Sequence, residues 1–182
     1  MRVESREYKV IVDVGLFADR AAGVAAVRED LGDLAAALGL PLCLPSLFYF
    51  PEDFVALVER YRARMSERSA RPSVAYPSYV HVARTSQEAR ARFRPYMESY
   101  ARFAAHCRGS NGRPMDYDGI LQGSAICGSP GEVVDRIGAL NQRLGLDLHY
   151  LMPDLGGLPP ALLRQVLELL GSDVLPQLRR AA

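Results

Sequence analysis

The stretch QRLGLDLHYL, residues 142–151, joins two kinds of structure. Leu144 closes a helical face that runs back through Leu140, Ile137 and Val133, Gly145 stands where a helix stops, and Leu146 to Met152 resume as an apolar run too short for another helix. The stretch AALGLPLCL, residues 36–44, has the same plan. A helix, a stopping glycine and a short apolar strand, written twice, are the mark of repeated α/β units and a parallel sheet.

Outward from the first stretch, Ser129-Pro130-Gly131-Glu132 combines a capping serine, proline at the first helical position and glutamate at the third, which predicts a helix start. Downstream, the strand ends in MPDLGGLPP, with Asp154, two glycines and two prolines, before a leucine-rich helix expected over about Pro159 to Leu178. Outward from the second stretch, Val24, Val27, Leu31, Leu34, Ala35 and Leu38 fall three or four apart on a helix. Pro51 fits the first position of the next helix, with Glu52 and Asp53 at its positive end and Phe54, Leu57, Val58, Tyr61 and Met65 on one face.

Tyr8 to Val14 is β-branched and short, and Gly15 ends it. Val74 to Ala83 is also β-rich, but Pro77 suggests a bulge or an edge, so the strand is expected to begin after it. Thr85 to Glu88 has capping-box spacing and opens a helix that should bend near Pro95. Residues 108–118, RGSNGRPMDYD, form an irregular loop insertion, a candidate lid. The reading is thus one domain over residues 1–182, with parallel strands at 8–14, 40–44, 78–83 and 147–151.

Composition narrows the function. At 182 residues, 49% hydrophobic and with a net charge of +1, the chain can bury a core but sets up no field to gather nucleic acid or an anionic membrane. No segment has about 18 uncharged apolar residues in a row, and no secretory leader is apparent, so a cytoplasmic setting is expected. Lys9 is the only lysine and lies in no phosphate-binding loop motif. Cys43, Cys107 and Cys127 are odd in number and widely spaced, which argues against a disulfide framework, and no histidine pair has metal-ligand spacing.

Parallel strands place their functional loops at the strands' carboxyl ends. The candidates there are Asp154, Gly156 and Gly157, whose exposed amides near a helix start could meet an anionic group, and Ser46 and Tyr49, which follow strand 40–44. Asp154 has a plainer reading as the cap of the next helix. His81, between Val80 and Val82, is either a structural histidine or a proton donor, and His149 sits mid-strand in the same way. The tract Arg60, Arg62, Arg64 and Arg68 reads as a solvated helical face.

The segment from Ile126 to Leu178, with Gly128, Ser129, Pro130, Glu132 and Val133 and then Val174 and Pro176, resembles the carboxyl-terminal end of the bacterial luciferase-like, flavin-dependent monooxygenases. LAAALGLPLCL, FVALVERYRARM and YVHVARTSQEARARF resemble earlier units of the same barrel. The resemblance implies about the second half of a (β/α)₈ barrel, parallel strands with flanking helices. It also implies reduced FMN, or the deazaflavin F420 in some relatives, acting on a small organic substrate. The family's phosphate loop would fall at Gly15 to Arg20, where Asp19 stands in place of serine.

A complete barrel takes about 250 residues and eight strands. A half barrel exposes two sheet edges and an apolar interior, so a homodimer or a complementary half-barrel chain is expected. Three functions stay open: a flavin-dependent oxidoreductase completed by a partner, a non-catalytic flavin-binding or accessory subunit, and an inactive truncated fragment.

Overall fold

The computed structural model describes residues 32–44, 46, 49–108, 116–154 and 156–181. The expected strand at 8–14 and the loop at Gly15 to Arg20 lie outside these residues. Helix α1, described over 32–38, leads into strand β1 (Leu42–Cys43). A 3₁₀ turn (Pro51–Phe54) opens helix α2 (Val55–Glu67), followed by β2 (Val74–Val82), α3 (Ser86–Arg108), α4 (Tyr117–Gln122), β3 (Ile126–Gly128), α5 (Pro130–Leu144) and β4 (Leu148–Met152). The chain closes with α6 (Pro160–Leu169), a π-helical turn (Leu170–Val174) and α7 (Leu175–Ala181).

Both helix-to-strand junctions form as the sequence predicts. Gly39 (φ 65°) and Gly145 (φ 58°) take the left-handed conformation that ends α1 and α5, and their amides bond back to Ala36 and Asn141. At the start of α5 the Ser129 hydroxyl accepts from the Glu132 amide. Glu132 does not close the capping box: the Ser129 amide bonds instead to the Ser86 hydroxyl at 3.0 Å, and the Glu132 carboxylate turns to Arg90 of α3. Thr85 caps α3 through the Glu88 amide at 3.2 Å.

Among the described residues every other strand pairs with β2, and every pairing is parallel. β1 pairs at its start (Leu42 with Val74), β4 along its middle (Ala75 with Leu148 to Tyr79 with Met152), and β3 at its end (Val80 with Ile126). The carbonyls of Ser73 and Ala75 accept from β1, whereas that of Val74 accepts from Asp147, so β1 and β4 occupy opposite edges. The expected strand 40–44 is shorter than read, 147–151 is shifted by one residue, and β3 was not expected. β2 begins at Val74 and runs through Pro77, where the sequence reading started it at Ser78.

A proline in the middle of a paired strand has a local explanation. β1 has ended by this point, and the Leu44 carbonyl accepts from Ser46 N at 2.8 Å, so it needs no amide from residue 77. The Ser46 hydroxyl then donates to the Pro77 carbonyl, so a side chain carries the ladder one step past the end of β1.

One face of the sheet (Leu42, Leu44, Val74, Tyr76, Val80 and Val82) packs against Leu57, Val58, Tyr61 and Met65 of α2, against Val133, Ile137, Leu140 and Leu144 of α5, and against Val166 of α6. Each such buried side chain contributes about 1.5–3 kcal/mol. Helices α2, α5 and α6 gather on this face, whereas α3 and α4 lie on the other. On the opposite face, towards the strands' carboxyl ends, Tyr79 and Ala83 pack with Ala89, Phe93 and Met97 of α3 and Tyr117 and Ile120 of α4.

Tyr61 ties three elements together: its hydroxyl donates to the Leu40 carbonyl at 2.9 Å and accepts from the Ser73 amide at 3.3 Å. Tyr61→Phe is expected to lower stability by about 1–3 kcal/mol, because it leaves buried backbone groups short of a partner. The midpoint of urea unfolding reads that loss.

Candidate functional site

The parallel strands bring the candidate loops to one end of the sheet. Ser46 and Tyr49 follow β1, Asp154, Gly156 and Gly157 follow β4, and β2 lies between them. The two sets differ in what they offer a ligand. Ser46 is fully buried with its hydroxyl committed to Pro77, and Tyr49 is half-buried, packed edge-on to Phe54 with ring centroids 5.8 Å apart. Ser46→Ala should therefore cost about 1–3 kcal/mol of stability by stranding the Pro77 carbonyl. A thermal unfolding scan of the ligand-free protein detects it.

The loop after β4 is open. Asp154 does not cap α6, which begins six residues later at Pro160; its Oδ1 accepts from the Gly156 amide at 2.8 Å and folds the loop back on itself. Gly156 (φ 88°) and Gly157 (φ 85°) both need backbone freedom that other residues lack, and a Cβ on either would meet nothing within 4 Å. Their backbone is thus bare on the solvent side, just ahead of the start of α6.

His81 lies under α3, 1% exposed, its ring stacked on Phe93 with centroids 5.4 Å apart and planes 18° apart. Nδ1 has no partner. Burial, helped by the Arg92 guanidinium and opposed by Glu88, pushes its pKa down to about 4, so the ring is neutral at pH 7. His149 points to the helical layer, where Nε2 shares a 2.8 Å hydrogen bond with Ser78, itself fully buried, and the ring meets Tyr76 edge-on. Burial holds His149 at about 4 as well. The sequence paired neither histidine with these neighbours, since Phe93 and Ser78 reach them only through packing across elements.

Cys127 is buried in β3 and its thiol is pushed up to about 12, by burial first, so it carries no thiolate at pH 7. Of residues 108–118, Arg108 ends α3, Asp116 caps α4 through the Gly119 amide at 2.8 Å, and Tyr117 and Asp118 begin that helix; residues 109–115 lie outside the described set. Two members of the arginine tract tie the helical layer together. Arg60 pairs with Asp33, and Arg62 reaches the Leu144 carbonyl at 2.8 Å at the end of α5. Among the described residues no helix is long and apolar enough to cross a membrane, and no three His, Cys, Asp or Glu side chains cluster to hold a metal.

Compared with known proteins, residues 22–148 match the family model for luciferase-like monooxygenases. In three dimensions the chain is similar to a monooxygenase from Streptomyces bottropensis, with TM-score 0.72 and 21% identity over 82% of this chain and 45% of that one. It is also similar to the oxygenating constituent of 3,6-diketocamphane monooxygenase from Pseudomonas putida in complex with FMN, with TM-score 0.57 and 20% identity over 80% of this chain and 45% of that one. A third likeness is to the coenzyme F420 dependent tetrahydromethanopterin reductase from Methanopyrus kandleri, with TM-score 0.54 and 15% identity over 85% of this chain and 48% of that one. These likenesses show the fold, that of part of a (β/α)₈ barrel, and the chain spans about half the length of each structure. No curated protein matches it in sequence.

Proposed function

The chain belongs to the luciferase-like monooxygenase family, matched over residues 22–148, and from that premise we propose that it is a flavin-dependent oxidoreductase whose barrel is completed by a second copy or by a complementary half-barrel polypeptide. The substrate is a small organic molecule. The cofactor is FMN, with F420 as the alternative. The observation that carries this reading is the bare, positive-φ backbone at Gly156 and Gly157, set at the carboxyl end of a parallel sheet.

These residues fit a phosphorylated flavin. The Gly157 amide can approach an anionic group closely because its backbone carries no side chain, and the adjoining start of α6 favours negative charge, whereas the Gly156 amide is taken by Asp154. Asp154 keeps its Oδ1 on the Gly156 amide and so fixes the turn ahead of Gly157. Ser46 supports the edge from below by fixing β1 to β2, and Tyr49 packs behind it. When bound, the reduced flavin supplies the electrons that activate oxygen, or the hydride where F420 replaces FMN.

His81, buried under α3, and His149, turned to the helical layer, are both neutral, which favours a second reading as a flavin-binding accessory subunit. Titration of the purified chain with FMN, followed by gel filtration, tests both. The expected result is flavin absorbance that travels with protein larger than one chain and falls in Gly157→Val. Colourless monomer at every flavin concentration would reject both readings. Oxygen consumption with reduced flavin and substrate separates enzyme from binder.

A further inference from the structure

The Ala83 amide bonds to the Gly128 carbonyl at 3.3 Å, and Ala83 has the parity of Ser73 and Ala75, so β3 lies on the β1 edge of β2, away from β4 and the loop that follows it. Beside β3, helices α3, α4 and α5 frame a cleft of about 480 Å³, within the size range of small-molecule sites. Ala125 and Cys127 give it a buried, uncharged lining, and Arg90 of α3, Asp118 of α4, and Glu132 and Arg136 of α5 bring charge. Those charges are unevenly matched. Glu132 pairs with Arg90, and Asp118 faces Arg94 at 3.8 Å. Arg136 has no such carboxylate among the described residues; its Nη2 donates to the carbonyls of Gln122 and Gly123 at the end of α4, the latter at 2.7 Å. These bonds fix the guanidinium, yet its Nε is buried without a hydrogen-bond partner among the described residues. A buried donor in that state keeps its desolvation cost until an acceptor reaches it.

We propose that this cleft is a second binding site, for a small organic monocarboxylate whose oxygen accepts from Arg136 Nε and whose carbon chain lies against Ala125 and Cys127. Arg136 supplies an unmatched positive charge on a side chain already held in place, so little freedom is lost when the anion arrives. Glu132 and Asp118 line the same cleft and repel a second negative charge, which favours a carboxylate over phosphate. Glu132 is also a built-in competitor, because it occupies the Arg90 guanidinium that could otherwise join Arg136 on the ligand. The cleft shares no residue with the loop at Gly156 and Gly157, so the inference stands apart from the flavin reading.

The test uses the full chain without flavin. Butyrate, its neutral isostere butyramide and inorganic phosphate are titrated in turn and followed by nuclear magnetic resonance of the Gln122 and Cys127 backbone amides. The expected result is a saturable shift with butyrate, which binds about tenfold more tightly than either of the others. Arg136→Lys keeps the charge but lacks the Nε donor, and should weaken butyrate about tenfold. Glu132→Gln removes the competing carboxylate and should tighten butyrate by a similar factor, a gain that a purely structural set of ion pairs would not give. Circular dichroism confirms that each variant is folded, and should Arg136→Lys fail to fold, Glu132→Gln decides. Equal or tighter binding of butyramide or phosphate, no saturable shift with butyrate, or an unchanged butyrate affinity in either folded variant would overturn the assignment.

Discussion

Acidification from pH 7 to pH 4 is expected to cost this chain about 6 kcal/mol of folding stability, at about 1.4 kcal/mol per pH unit separating the folded and unfolded pKa of each of two histidines. Both His81 and His149 are held at about 4 in the folded protein against an ordinary value of 6.5. Above pH 6.5 the folded and unfolded chains are both neutral at these positions, and stability is at its full value. Between 6.5 and about 4 the unfolded chain takes up protons that the folded chain refuses, so stability falls with falling pH; below about 4 the loss levels off. Typical domains hold only about 5–15 kcal/mol in total, so the fold should be marginal near pH 4. Urea unfolding at intervals from pH 7.5 to about 4 reads the slope. His81→Leu removes one of the two titrations and should roughly halve it. A pH-independent midpoint in the native chain would show that these rings are not shielded as described.

The second large effect concerns the ring that shields one of them. Phe93 is fully buried and stacks on His81, so Phe93→Ala should destabilise the protein by about 3–5 kcal/mol through lost contacts and a residual cavity. It also exposes one side of the imidazole. The pKa of His81 should then rise towards 6.5 and the acid slope should shrink, although the protein is weaker at every pH. A histidine proton titration followed by nuclear magnetic resonance separates the two consequences. A stability loss with His81 still near 4 would mean that the second core, and not the stacked ring, keeps water away.

The sequence disclosed its helix boundaries more readily than its strands. Gly39 and Gly145 stop their helices because no other residue takes that conformation cheaply, and Ser129 and Thr85 cap theirs through bonds made within four residues. Such signals are local. Pro77 misled because the rule against proline in a paired strand assumes a partner that still needs its amide; here β1 has ended and Ser46 completes the ladder from 31 residues away. β3 escaped notice because three residues, ICG, make no run, and they are held by Val80, His81 and Val82.

At the site, the parallel order placed Ser46, Tyr49, Asp154, Gly156 and Gly157 at one end of the sheet, and the structure agrees on that placement. What each side chain does there was not legible. A serine after a strand reads equally as ligand contact or as ladder extension, and only the position of the Pro77 carbonyl decides. Asp154 looked like a helix cap, but the prolines at 159 and 160 delay the helix and leave the carboxylate to its own loop. The π-helical turn at Leu170–Val174 also has no simple sequence signal, since its residues LGSDV continue a helix without proline.

That β2 receives the other three described strands bears on the order of assembly. Its amide at Val74 is bonded to Asp147, 73 residues further along the chain. Closing a loop of that size must precede any gain from the β2–β4 ladder, which makes that pairing the slow one. On a ribosome, β2 emerges long before β4 exists to protect its edge. In that interval its apolar length, VAYPSYVHV, stands open to the strands of neighbouring nascent chains, and Pro77 interrupts the row of amides they would need.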